Sequence, residues 1–129
     1  MPEGARRVLL AEDDRFLRRA CEASLRQRGF TVIAAADGEE GLRQARAEHP
    51  ELILLDLLMP KLAGVEVLRA LKADPDTKAI PVLILSNSSR EQDIAEVSNL
   101  GISGYFVKSN LSLQELGELV GRLLAGQSG

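Results

Sequence analysis

The sequence predicts a single α/β domain built on an open parallel sheet, and three observations carry that prediction. Five apolar segments alternate with five segments of helical period along the chain. Two of the apolar segments, Val8-Leu9-Leu10-Ala11 and Leu52-Ile53-Leu54-Leu55, are hydrophobic at every position. That pattern belongs to strands covered on both faces, as in parallel sheets. Both of these runs then break into acid: Glu12-Asp13-Asp14 after the first, Asp56 after the second. Alternating βα units of this length lead to a doubly wound architecture with helices on both faces of the sheet.

The elements follow in order. Strands are expected at 8–12, 31–35, 52–56, 82–86 and 104–108, and helices at 14–28, 38–48, 64–73, 90–100 and 112–125. Gly29 ends the first helix, and Asp37 has the position of the N-cap of the second. Pro81 enters the fourth strand at its start, where a missing N–H is tolerated. Ser112 with Glu115 reads as a capping box for the last helix, whose Leu113, Leu116, Val120 and Leu123 repeat at three- and four-residue spacing. The domain is expected over 6–125, with 126–129 as a flexible tail.

Composition narrows the class. A chain of 129 residues, 45% apolar and 27% charged, supports one sizeable core. Its net charge of −3 comes with scattered Lys and Arg, so no basic footprint for nucleic acid is present. No run approaches the length of a membrane span, and Met1-Pro2-Glu3-Gly4-Ala5 lacks an apolar signal region. The single Cys21 sits between Leu17 and Leu25 as a small core residue, and a reducing cytoplasmic setting fits. The one histidine, His49, precedes Pro50 in a loop and reads as solvated.

The chemistry lies in the acids. Ligands of open α/β sheets sit beyond the carboxyl ends of the strands. Strands ending in Glu12-Asp13 and in Asp56 therefore aim three carboxylates at one mouth. Clustered carboxylates repel, and one takes up a proton unless a cation compensates. Mg²⁺, a hard cation that binds through one or two carboxylates plus water and phosphate, is the simplest such cation.

At this point the chain resembles the receiver domains of bacterial two-component response regulators. The resemblance covers about residues 6–125. It rests on Glu12-Asp13 after the first strand, Asp56 with Met59-Pro60 and Gly64 after the third, Ser86 after the fourth and Lys108 after the fifth. It implies a flavodoxin-like (βα)5 fold with strand order 2-1-3-4-5. Asp56 would be the phosphoacceptor, Asp13 a direct ligand of Mg²⁺ (or Mn²⁺), Glu12 a ligand through water, and Leu58 a ligand through its backbone carbonyl. Ser86 and Lys108 would each contact a phosphoryl oxygen, Lys108 as a point charge. Ser86 and Tyr105 would form the switch. Tyr105 lies three residues before Lys108, where the family carries an aromatic that turns inward on phosphorylation, while Phe106 faces the opposite side as core. Asp14 either caps the first helix or touches the metal's surroundings.

Two positions depart from the family pattern. Asn87 replaces the usual small residue after Ser86, and its amide either narrows the mouth or adds a donor. Ser109 replaces the usual proline after Lys108, so the bond between them is expected to be trans.

The leading functional expectation is a phosphorylation-dependent signalling receiver. It would be charged by a histidine kinase or phosphotransfer protein and act by docking an output protein, without turnover catalysis and without direct contact to nucleic acid or membrane. An unphosphorylated receiver-like interaction module is the alternative. A metal-dependent aspartyl phosphatase would need an acid/base group two residues past the nucleophile, and Leu58 performs no proton transfer.

Overall fold

The computed structural model describes residues 6–87, 91–110 and 112–126. Five strands and five helices alternate: β1 Arg7–Ala11, α1 Arg15–Gln27, β2 Thr31–Ala35, α2 Gly38–Glu48, β3 Leu52–Asp56, α3 Gly64–Ala73, β4 Val82–Ser86, α4 Glu91–Leu100, β5 Gly104–Val107 and α5 Leu113–Gly126. The strands form one sheet in the order β2-β1-β3-β4-β5, every pair parallel. The fold is therefore the expected flavodoxin-like one. The chain leaves β1 towards β2 and returns to the other side of β1 as β3, so the order reverses between β1 and β3. Ligands of doubly wound sheets bind at that reversal.

Alternation along each strand sorts side chains onto two cores. Val8, Leu10, Leu54 and Leu85 pack against Cys21 and Leu25 of α1 and Leu116 and Val120 of α5. Leu9, Ile53, Leu55 and Ile84 face α2, α3 and α4, meeting Ala45, Val67, Leu71 and Val97. Burying each large aliphatic side chain contributes about 1.5–3 kcal/mol. Strands differ in how deeply they are embedded. All five residues of β3 are buried, whereas all four of the edge strand β5 are only half-buried.

Expected and observed bounds differ at the ends. β1 stops at Ala11 and leaves Glu12 beyond the strand, although Glu12 N still donates to Ala35 O at 3.0 Å. β5 stops at Val107, because Lys108–Asn110 coil into a 3-10 turn. Asp14 and Ser112 stand outside their helices as caps: Asp14 Oδ1 accepts from Phe16 N and Leu17 N, and Ser112 Oγ from Glu115 N. Asp37 accepts from Glu40 N at 2.8 Å as expected. α5 runs to Gly126, one residue into the expected tail. Arg90, the expected start of the fourth helix, lies outside the described residues, as do 127–129. No peptide bond among the described residues is cis, so Lys108–Ser109 is trans.

Candidate functional site

The site lies at the reversal between β1 and β3, and backbone packing sets it there. Asp56 is the last residue of β3 and only 2% exposed. Its neighbour α3 begins tightly behind it: a Cβ on Gly64 would collide with the Asp56 carbonyl oxygen. Gly64 N donates to Leu57 O at 2.8 Å, closing the loop that leaves the strand. Glu12, one residue past β1, is fully buried, and Asp13 beside it is exposed. One oxygen from each of Glu12, Asp13 and Asp56 lies within 4.8 Å of the others.

Lys108 enters from the end of β5 and bridges two of the acids. Its Nζ is 2.7 Å from Glu12 Oε1 and 3.0 Å from Asp56 Oδ2. Glu12 Oε2 accepts from Asp14 N at 3.0 Å, and Asp56 Oδ1 from Leu58 N at 3.2 Å. Glu12 Oε1 is buried, and the Lys108 ammonium is the cation that compensates it. The clustered oxygens of Glu12, Asp13 and Asp56 make an all-oxygen donor set of the kind a hard divalent cation takes, directly or through water.

Burial and charge set the titration of the group. Burial foremost, then the Glu12 charge, push the Asp56 carboxyl up to about 7; Lys108 pulls the other way and Asp13 adds to the rise. Burial works against the Lys108 ammonium, but its hydrogen bonds to Glu12 and Asp56 and their charges outweigh this and hold it above the ordinary lysine value. Three carboxylates and one ammonium leave the mouth short of positive charge.

The other expected residues lie around this centre. Ser86, fully buried, ends β4 in register with Val107, the residue before Lys108. Tyr105 is half-buried against the core that faces α2, α3 and α4, and Phe106 lies against the opposite core. Leu58 is 71% exposed beside Asp56. Asn87 and Ser109 are both exposed and line a cleft of about 490 Å³ with Asp14, Phe16, Leu17 and Lys108. The side chain of Asp14 is engaged as the α1 cap. His49 is exposed and closes α2 in a left-handed conformation, φ 46°. Cys21 is fully buried, and burial first, then the nearby Glu12 charge, raise its thiol to about 11.

Sequence reasoning missed Arg18. Its guanidinium donates to the backbone carbonyls of Glu12 at 2.9 Å and Asp13 at 3.3 Å, tying α1 to the acidic loop. In sequence Arg18 is one of several arginines on an amphipathic helix, and no local pattern distinguishes it.

Comparison with known proteins agrees with this geometry. The model of the response regulator receiver domain matches residues 8–120. The transcriptional regulatory protein PrrA of Mycobacterium tuberculosis is 41% identical over 120 residues, which span 92% of this chain and 48% of PrrA. Chemotaxis protein CheY4 of Vibrio cholerae aligns with a TM-score of 0.85 at 27% identity, over 92% of this chain and 98% of its own. The Mn(2+)-bound form of response regulator Rcp1 aligns with a TM-score of 0.77 at 33% identity, over 89% and 88%. The chain spans less than half the length of curated relatives such as PrrA and the ycf27 regulator of Porphyridium aerugineum, of which it covers 41%. No helix among the described residues is long and apolar enough to cross a membrane. With acids gathered at the reversal of a 2-1-3-4-5 sheet and a family match across 8–120, the chain belongs to the receiver domains of two-component response regulators.

Proposed function

We propose that this chain accepts a phosphoryl group on Asp56 from a phosphohistidine of a kinase or phosphotransfer protein. The observation that carries the reading is the Asp56 carboxylate at the sheet reversal, with Lys108 Nζ 3.0 Å from Oδ2. In the transfer, an Asp56 oxygen forms a bond to phosphorus as the phosphorus–nitrogen bond breaks and the imidazole leaves. Such transfers depend on positioning and on neutralising charge at the equatorial oxygens. Lys108 would turn its ammonium to one phosphoryl oxygen and Ser86 its hydroxyl to another. Asp13, Asp56 and the Leu58 carbonyl would hold Mg²⁺ directly, or Mn²⁺ as in the Rcp1 relative, with Glu12 acting through water. When bound, the cation offsets the charge of the carboxylates and of the incoming phosphoryl group. Glu12, fully buried and paired with Lys108, would hold that ammonium at the site.

Ser86 and Tyr105 would carry the conformational response, and the loaded state would act by docking an output protein. The chain would catalyse only its own phosphorylation and dephosphorylation, in the cytoplasm, as a domain over 6–125. DNA binding by the full-length transcriptional regulators among its relatives belongs to those proteins. Intact-mass measurement after incubation with Mg²⁺ and a small-molecule phosphodonor tests the reading. A gain of about 80 Da, absent in Asp56→Asn, is the expected result, because the transfer needs the assembled site. No gain in the parent would leave the unphosphorylated interaction module as the better reading.

A further inference from the structure

A second concavity, of about 620 Å³, lies between α2 and the loop joining β3 to α3. Leu42, Ala47 and Leu62 contribute its apolar walls, and Arg43, Arg46 and Lys61 its positive charges, against the single acid Glu39. These cations are weakly committed. Lys61 Nζ is 3.5 Å from Asp37 and Arg46 Nε 3.4 Å from Asp74, with both cationic side chains more than half exposed. Arg43 makes no ion pair among the described residues and is exposed.

The loop wall is held firmly. Lys61 adopts φ 68°, a left-handed conformation that a residue with a side chain seldom takes. It is kept there by its neighbours: Leu62 N donates to Pro60 O at 2.8 Å, and Gly38 N to Pro60 O at 3.4 Å. Gly38 also permits the close approach, since a Cβ there would collide with the Leu62 carbonyl. The surface is thus an open groove with one backbone-braced wall, apolar residues in its lining and more cationic than acidic side chains around it.

We infer that this cleft docks an acidic peptide segment of a partner protein, with one apolar side chain seated between Leu42 and Leu62 and carboxylates on Arg43, Arg46 and Lys61. A bare inorganic anion would meet the cations and leave the apolar walls wet. A second copy of the chain, whose net charge is −3, is the other occupant that the experiment separates. Lys61 lies three residues beyond Leu58, so an occupant would lean on the loop assigned to the metal. Because that coupling rests on the proposed function, binding is tested without divalent cations.

The probe is a fluorescein-labelled peptide of glutamates flanking one leucine, titrated by anisotropy against the full chain. Arg43→Glu should weaken binding at least about tenfold, whereas Arg122→Glu, the same charge change on α5, should alter it by less than about twofold. Replacing the peptide's leucine with serine should also weaken it. Amide shift perturbations on saturation should centre on Leu42, Arg43, Lys61 and Leu62. Absence of binding, equal loss in both arginine variants, or indifference to the leucine would overturn the proposal. So would concentration-dependent dimerisation of the parent that Arg43→Glu abolishes, because the occupant would then be a second copy.

Discussion

Replacing Asp56 by asparagine should stabilise the metal-free protein at alkaline pH and do little at acid pH. The folded carboxyl is pushed up to about 7 from the ordinary aspartate value of 3.8, chiefly by burial and next by Glu12. A raised folded-state value means that the native state holds the proton more tightly than the unfolded chain. The stability this proton confers is fully present below about 3.8 and is lost as pH rises through about 7. About three pH units at 1.36 kcal/mol each set a ceiling of about 4 kcal/mol. Relaxation around a group whose effective surroundings are more polar than a dry interior reduces this to about 1–3 kcal/mol. Asparagine keeps an acceptor oxygen for Lys108, which also retains Glu12 at 2.7 Å. At pH 8 in chelator, the variant should therefore melt about 5–10 °C above the parent, since 1 kcal/mol moves the Tm of a domain of this size by several degrees. At pH 5 about a third or more of the gap should remain, because the unfolded carboxyl is already largely ionised there, and it should close only below about pH 4. Scanning calorimetry of both proteins from pH 5 to 8 reads the difference, in which other titrations cancel. Parallel pH profiles would refute the reasoning, because Asp56 would then be ionised in the fold at no cost.

Mg²⁺ should raise the Tm of the parent and do so much less in Asp13→Ala, because a ligand held only by the native state stabilises it by mass action; equal shifts would remove Asp13 from the metal site. Hydrolysis of the loaded form should be slow and should accelerate in Leu58→Asn, since an apolar side chain beside Asp56 orients no water; unchanged or slower decay of the phosphorylated mass means another group controls the attack. Gly64→Ala should destabilise by about 2–4 kcal/mol in chemical denaturation and depress phosphorylation with it, because the added methyl displaces the Asp56 carbonyl. Cys21 should resist alkylation at pH 8 until the chain unfolds, being buried with its thiol raised to about 11; rapid labelling of the native protein would contradict that burial.

The strands and helices were legible because they repeat simple patterns. Leu52–Leu55 and Val82–Leu85 are apolar without interruption, and the strands read from them, Leu52–Asp56 and Val82–Ser86, have the bounds of the structure. Helix ends were visible wherever a side chain performs the capping, as at Asp14, Asp37 and Ser112. Clustering of Glu12, Asp13 and Asp56 was legible because strand ends of a parallel sheet share one mouth. The rest depends on contacts between segments far apart in sequence. Nothing local indicates that Arg18 reaches two carbonyls, that Lys108 is shared by two acids, or that Lys61 takes a left-handed turn under the contact of Gly38 with Leu62. The 3-10 turn at Lys108–Asn110 was missed for the same reason: Gly104-Tyr105-Phe106-Val107-Lys108 reads as an uninterrupted strand, and only the fold ends it early.

The two charges that meet at the site are mounted on supports of unequal stiffness. Asp56 belongs to a strand flanked by β1 and β4 with every residue buried, and opening it exposes both cores at once. Lys108 follows a strand paired only to β4, with no residue fully buried. Local opening free energies scale with such burial. Backbone amides of β3 should thus exchange only through global unfolding, and those of β5 through smaller excursions. A load placed on Asp56 would then be relieved by displacement on the Lys108 side, so that the anion stays fixed and the edge of the sheet moves.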